Sequence, residues 1–192
     1  MMTQKFRIKS PTRTCQVKYK VYGRYKPYLA KDFNNRCGYT DCPDFWFGGV
    51  GNFHIDHFIP WKKHPTKASL KTDYNNLVYC CSYVNILKSD DETAYLDPCN
   101  VDYNNHFSRS LYGEIQPNKG SAEAIYMYGK LKLYLKRYQI IWMLEKIFEK
   151  MEQMKDAIDS TDNEQYKNAL KITMSDLTCL MLDYKKYLSE NQ

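Results

Sequence analysis

Apolar residues recur most regularly in the C-terminal third of the chain. Between residues 140 and 158 they are spaced alternately four and three positions apart, the spacing of one face of an α-helix. The segment 166–187 repeats this spacing, and Thr161 and Glu164 between the two segments are placed as in a capping box. The pattern predicts a helical hairpin, with helices at about residues 121–158 and 164–188.

The first 120 residues show only short apolar segments between residues that favour turns. Glycine and proline are concentrated in 37–52 and 90–120, which predicts a loop or hairpin in the first range and mostly irregular chain in the second. Residues 18–22 fit either a strand or an irregular arm. The other predicted elements are a short helix at 28–34, strands at 53–59 and 77–80, and a helix at 82–89.

Length and composition are those of an ordinary globular protein. The 192 residues fit one domain, or one domain with an appended element, and 43% of them are hydrophobic. No apolar run is long enough for a bilayer, and residues 1–31 contain no apolar core typical of a secretory signal. The odd count of seven cysteines argues against a secreted disulfide framework, so we expect a cytoplasmic protein.

The net positive charge is confined to the N-terminal segment. Residues 1–31 hold nine lysines or arginines and no acid, whereas 32–120 carry a net charge of −3 and 121–192 a net charge of zero. A basic segment with interleaved tyrosines is suited to a polyanion, although lysines can also keep a solvated edge strand soluble. The candidate nucleic-acid contacts are Lys18, Lys20, Arg24 and Lys26, together with Lys62 and Lys63 from a later loop.

These patterns predict three parts of the chain. They are a basic arm at 1–31, a central domain at 32–120 and a helical hairpin at 121–192. The apolar stripes of the hairpin fit simple packing within the protein, or the docking of a partner protein.

Groups that can bind a metal ion or move a proton are concentrated between residues 53 and 90. His54, Asp56 and His57 fall within a stretch of four residues in the first predicted strand. In an extended strand, His54 and Asp56 would share a face and His57 would point to the other, unless the chain turns there. Asn85 and Lys88 are three apart on the predicted helix and so share one of its faces.

At these residues the sequence resembles the HNH endonuclease family. The match consists of Asp56-His57 followed by Pro60, Asn76-Leu77, and Asn85 followed by Lys88-Ser89-Asp90, and it covers about residues 36–92. The resemblance implies an α+β fold with a small ββα-metal core, in which two strands and a helix hold one divalent cation. It also implies cleavage of DNA that leaves 5′-phosphate and 3′-hydroxyl ends.

The resemblance assigns a role to each of these side chains. His57 would be the general base, and Asp56 and Asn85 would supply oxygen ligands to Mg²⁺ or Mn²⁺. Asn76 would hold the loop that orients His57, and Lys88 would steady the charge of the phosphate. His54 would be a further metal ligand or a donor to the phosphate.

A structural zinc site is incomplete in this sequence. Many HNH nucleases carry two Cys-x-x-Cys pairs, but the corresponding positions here are Cys37 with Thr40 and Cys81 with Val84. Valine has no ligand atom and threonine is a poor zinc ligand. Zinc would need a different set, such as Cys37, Cys42, Cys81 and Cys99; the alternative is an apolar core without metal.

Three functional hypotheses follow. The first is a metal-dependent endonuclease acting on DNA, most simply a duplex, gripped by the basic arm. The size and helical tail also resemble the HNH subunits of bacterial antiphage systems of the Septu type, which act with an ATPase. The second is a non-catalytic nucleic-acid-binding module on an HNH scaffold, and the third is an interaction subunit that docks through its hairpin.

Overall fold

The computed structural model describes residues 3–190, so Met1 and Met2 of the predicted arm lie outside the described residues. The fold is mixed α+β, with small sheets and a C-terminal pair of helices, and it divides into two compact units between Leu135 and Lys136. The strands are β1 (Gln4–Lys5), β2 (Phe53–His57), β3 (Leu77–Cys81), β4 (Phe107–Arg109) and β5 (Ile115–Pro117). The α-helices are α1 (Lys26–Asp32), α2 (Ser82–Lys88), α3 (Ala122–Lys130), α4 (Lys136–Ser160) and α5 (Glu164–Glu190).

The start of the predicted arm is an edge strand of the first unit. β1 pairs antiparallel with β4, which pairs antiparallel with β5, so the sheet order is β1-β4-β5. Phe6, directly after β1, is buried with its ring 5.4 Å from that of Phe107 and 5.7 Å from that of Tyr103. Burial of Phe6 therefore fixes the beginning of the predicted arm to the central part of the chain.

The second sheet carries the candidate chemistry. β2 and β3 pair antiparallel from Phe53 opposite Cys81 to His57 opposite Leu77. All five residues of β3 are buried, which agrees with its run of apolar side chains. α2 begins directly after β3, and the strands and helix predicted near these positions are confirmed.

The helix predicted at 28–34 is found as α1, and the structure decides or changes three other predictions. Residues 18–22 form no strand, and the range 90–120 is less irregular than predicted because it contains β4 and β5. The helix predicted at 121–158 is interrupted after α3. Leu131 and Leu133 are both buried, which an uninterrupted helix could not achieve on one face, and Lys132 between them adopts a left-handed conformation at φ 50°.

The second unit is the predicted helical hairpin, with a different cap. α4 and α5 pack against each other, and α5 extends two residues beyond its predicted end. The capping box of Thr161 and Glu164 is not the bond observed. Instead, Oδ1 of Asn163 accepts a hydrogen bond from the backbone N–H of Tyr166 at 3.0 Å.

Apolar side chains remain exposed on the hairpin. Ile172 is 66% exposed and Leu182 is 53% exposed. Docking of a partner on this unit stays a prediction. No helix within residues 3–190 combines the length and apolar character needed to cross a membrane.

Candidate functional site

A cleft of about 250 Å³ lies where β2 meets α2. Both elements supply residues that the sequence singled out, and the short loop after β2 supplies the opposite wall. The lining residues are Ile55, Asp56, His57, Pro60, Trp61, Lys62, Asn85, Ser89 and Asp90. The structure therefore brings together three of the predicted catalytic and metal-binding residues, Asp56, His57 and Asn85.

The imidazole of His57 is held by a backbone carbonyl. Its Nε2 lies 3.0 Å from the carbonyl oxygen of Lys71. A carbonyl oxygen can only accept, so Nε2 carries the proton and Nδ1 of the neutral ring is left as an acceptor. Burial of the ring, including an edge contact with Tyr22 at 4.8 Å, lowers the pKa of His57 below its ordinary value.

The carboxylate of Asp56 is almost enclosed. Its residue is 3% exposed, and Oδ2 accepts a hydrogen bond from the hydroxyl of Tyr39 at 2.6 Å. The ammonium group of Lys88 lies 3.2 Å from both Oδ1 and Oδ2. Burial, and after it the neighbouring Asp56 charge, raises the pKa of Tyr39 well above its ordinary value, so the phenol remains a donor.

The structure corrects the role expected of Lys88. Its side chain is fully buried, and Nζ also donates to the carbonyl oxygen of His57 at 3.1 Å. The ammonium lies 5.3 Å from the ring centre of Tyr95. A group so enclosed has no face for a phosphate, so Lys88 is the counter-ion of Asp56 instead.

Asn85 lines the cleft and contacts His54 beside it. Nδ2 of Asn85 is 3.2 Å from Nδ1 of His54, and the thiol of Cys80 approaches Oδ1 of Asn85 at 3.9 Å. His54 is exposed and does not belong to the lining set. The carboxylate of Asp56 and the amide of Asn85 are hard oxygen donors on one cleft, a set that fits a divalent cation keeping several of its waters.

Asn76 bridges three backbone groups of the loop that follows β2. Its Oδ1 accepts from the N–H of Ile59 at 2.8 Å, and its Nδ2 donates to the carbonyl oxygens of Ile59 at 2.9 Å and Leu70 at 3.0 Å. Asn76 is buried and does not line the cleft. These bonds fix the loop between β2 and β3. Lys71, whose carbonyl oxygen holds His57, directly follows the anchored residue Leu70.

The residues at the four zinc-knuckle positions do not fit a zinc ion. Cys37, Thr40, Cys81 and Val84 are all buried, and the sulfur atoms of Cys37 and Cys81 are 4.0 Å apart, but threonine and valine complete the set.

The two cysteines proposed as substitutes do not repair the site. The thiol of Cys42 points to the carbonyl oxygen of Thr40 at 3.9 Å, and the backbone of Cys99 is tied to Asp97. Among residues 3–190, no three His, Cys, Asp or Glu side chains form a group that could hold a metal ion. The zinc set of Cys37, Cys42, Cys81 and Cys99 is not assembled in this structure.

Two buried arginines hold the loop between Cys37 and Cys42. Arg7 donates to the carbonyl oxygen of Gly38 at 2.7 Å, and Arg109 donates to that of Thr40 at 2.9 Å. Arg109 also bonds the carbonyl oxygens of Phe6 at 3.1 Å and Gly113 at 2.9 Å. Both side chains are at most 2% exposed. These cations fasten the loop through its backbone, and sequence reasoning missed them because nothing local marks an arginine as buried.

The predicted nucleic-acid contacts differ in their availability. Lys18, Lys20 and Arg24 are exposed, and Tyr22 between them touches the ring of His57, so their segment lies at the cleft. Lys26 is partly engaged because its Nζ donates to the carbonyl oxygen of Gly51 at 2.7 Å.

The loop lysines and the remaining arm cations complete this comparison. Lys62 lines the cleft, and the exposed Lys63 lies 3.6 Å from the carboxylate of Asp90. In contrast, Arg7 of the arm is buried, and the side chain of Arg13 is only 5% exposed and pairs with Asp97 at 3.0 Å. The positive charge of 1–31 is therefore only partly available to a polyanion.

Comparison with known proteins identified no relative of this chain. A scan against family models, a search of curated proteins and a search of solved structures each returned no match.

We predict that Arg109→Met lowers the free energy of unfolding by about 3 kcal/mol or more, because three buried carbonyl oxygens lose their donor. Urea unfolding followed by circular dichroism measures this change. Arg24→Met is the matched control, since Arg24 is exposed, and it should change the free energy by less than about 0.5 kcal/mol. Equal effects of the two substitutions would refute the bracing role of Arg109.

We predict that Asn76→Ala releases the loop after β2 while leaving β2 and β3 paired. Three backbone groups lose their partner, so the stability should fall by about 2 kcal/mol. Hydrogen exchange should accelerate at the amide of Ile59 more than at the amides of β3. Asn75→Ala is the control, because the side chain of Asn75 is exposed. Unchanged exchange at Ile59 would contradict the anchoring role.

Proposed function

We propose that this protein is a divalent-metal-dependent endonuclease of the HNH type that hydrolyses DNA. The observation that carries the proposal is the convergence of Asp56, His57 and Asn85 on one cleft, from a strand and a helix. These are the residue types that phosphodiester hydrolysis needs: oxygen ligands for a cation and an imidazole that takes a proton. The antiparallel pair β2–β3 followed by α2 supports a ββα-metal core.

His57 would act as the general base through Nδ1. The carbonyl of Lys71 fixes the proton on Nε2, so the other nitrogen is available to take a proton from the attacking water. Contacts with Tyr22 and with the rim residue Trp61 restrict the ring to this orientation. The base is therefore oriented before substrate arrives, which lowers the entropy cost of the reaction.

Asp56 and Asn85 would hold the cation, with His54 beside Asn85 as a further donor. When bound, Mg²⁺ or Mn²⁺ neutralises charge that develops on the phosphate and assists the leaving oxygen. Asn76 acts on this centre only through the loop that it anchors, and it is a positioning residue.

The basic surface beside the cleft supports a nucleic-acid substrate. Lys18, Lys20 and Arg24 are exposed next to Tyr22, and Lys62 is part of the cleft wall. Such cations contact phosphates without reading bases, so they position a duplex rather than select a sequence. We propose a cytoplasmic effector of antiphage defence, with the hairpin docking on an ATPase partner.

We predict that the protein nicks plasmid DNA with Mg²⁺ or Mn²⁺ and that His57→Ala lowers the rate at least about 100-fold, because the water loses its base. Conversion of supercoiled to open-circular plasmid measures the rate. His106→Asn is the control: His106 bonds Ser121 at 2.9 Å outside the cleft. Equal nicking by wild type and His57→Ala would assign the activity to a contaminant. Salt-sensitive binding without any cleavage would instead favour a non-catalytic binding module.

We predict that replacing Lys18, Lys20 and Arg24 together by alanine weakens DNA binding and reduces its salt dependence. Each lost phosphate contact should lower the slope of log K against log salt by about 0.9. Fluorescence anisotropy with a labelled duplex, measured in calcium to prevent cleavage, gives this slope. Replacement of the exposed Lys171 and Lys185 of α5 is the charge-matched control for two of the three changes. An unchanged slope in the triple variant would exclude the segment from the interface.

A further inference from the structure

The pairing of Asp56 with Lys88 has a consequence for metal binding. Both side chains are enclosed, with 4% and 0% of their surfaces exposed, and the ammonium is equally distant from the two carboxylate oxygens. We propose that Lys88 is an internal cation that neutralises Asp56 and keeps the site weak for a divalent metal until a phosphate arrives. The inference rests on the proposed function only in taking Asp56 as a metal ligand.

Desolvation explains why the internal cation is needed. A buried carboxylate without a cationic partner is strongly destabilising, because the interior cannot replace its water. Tyr39 supplies one neutral donor to Asp56, which stabilises the charge but does not cancel it. Lys88 provides the cancelling charge, and its contacts with the His57 carbonyl and the Tyr95 ring accommodate the ammonium. Tyr39 and Lys88 thus partner the buried carboxylate of Asp56 from within the chain itself.

The same neutralisation weakens the attraction for a second cation. A divalent ion that approaches Asp56 meets a neutral pair, and it is repelled by the nearby ammonium. The other carboxylate on the cleft is that of Asp90, which is exposed and lies 3.6 Å from the ammonium of Lys63. Lys62 adds a further positive charge to the wall. A phosphate diester entering the cleft would supply the missing negative charge, so metal and nucleic acid should load together.

Removal of the ammonium separates this role from a purely structural one. In Lys88→Met the carboxylate of Asp56 is left without its counter-ion, and a metal ion becomes the substitute. We expect the melting temperature in chelator to fall by about 10 °C. Added Mn²⁺ should recover much of this loss, while it shifts wild type by less than about 2 °C. Mn²⁺ binding without DNA, followed by titration calorimetry or electron paramagnetic resonance, should be at least about tenfold tighter in the variant.

Two further variants control for loss of a lysine and for loss of the fold. Lys171→Met removes an exposed ammonium of α5, outside the set of residues that line the cleft, and should leave the Mn²⁺ response of the melting temperature near that of wild type. The double variant Asp56→Asn, Lys88→Met removes both charges; it should fold without metal and show no stabilisation by Mn²⁺.

The proposal is overturned if Lys88→Met binds Mn²⁺ no more tightly than wild type. It is also overturned if Lys88→Met stays unfolded at every Mn²⁺ concentration while the double variant folds. If either result is found while wild type cleaves plasmid DNA, the endonuclease proposal stands and only the proposed role of Lys88 is refuted. If Lys88→Met binds Mn²⁺ more tightly but wild type never cleaves DNA, the proposed role of Lys88 stands and the endonuclease proposal is refuted.

Discussion

A carboxylate buried in a protein interior is tolerated only when other groups replace the water it has lost, and Asp56 is such a carboxylate. Its partners come from two places: Tyr39 from the loop before β2 and Lys88 from the end of α2, whose ammonium also donates to the carbonyl of His57 in the strand. The strand, the helix and the loop must therefore meet at Asp56. This requirement fixes the neighbouring His57 and Asn85 at the cleft, and the arrangement of the site follows from the burial of one charge.

The sequence predicts the parts of the site that depend on local order. Polar residues at set positions on two short strands and a helix place Asp56, His57 and Asn85 close together once the strands pair. The hairpin of α4 and α5 can likewise be predicted from the sequence, because helical periodicity over many residues is a strong signal. In both cases the information lies within a few tens of residues, so no distant contact is needed to find it.

Features that depend on distant pairings are not visible in the sequence. β1 and β4 pair Gln4 with Arg109, and nothing near either residue marks the other as its partner. Burial of Arg7 and Arg109 follows from this sheet, and it removes two apparent surface cations from the count of possible phosphate contacts. Lys88 has the same character: a lysine on a helix face is ordinarily solvated, and only the packed structure shows that its ammonium is enclosed.

Enclosed cations are thus found at two places in the first unit, the loop at residues 37–42 and the cleft. At each place they bind groups that would otherwise lack a partner. Around residues 37–42, Arg7 and Arg109 reach backbone carbonyls with their planar, multiple donors, and Arg7 also lies 4.0 Å from the carboxylate of Asp41. At the cleft the acceptor is a charged carboxylate, for which the single ammonium of Lys88 gives full neutralisation. A guanidinium can donate to several separate carbonyl oxygens, whereas an ammonium places its charge at one compact site. Exchanging arginine and lysine would therefore leave acceptors unsatisfied at both places. The loop at residues 37–42 is thus fastened through its backbone, whereas at the cleft one ammonium balances one buried carboxylate.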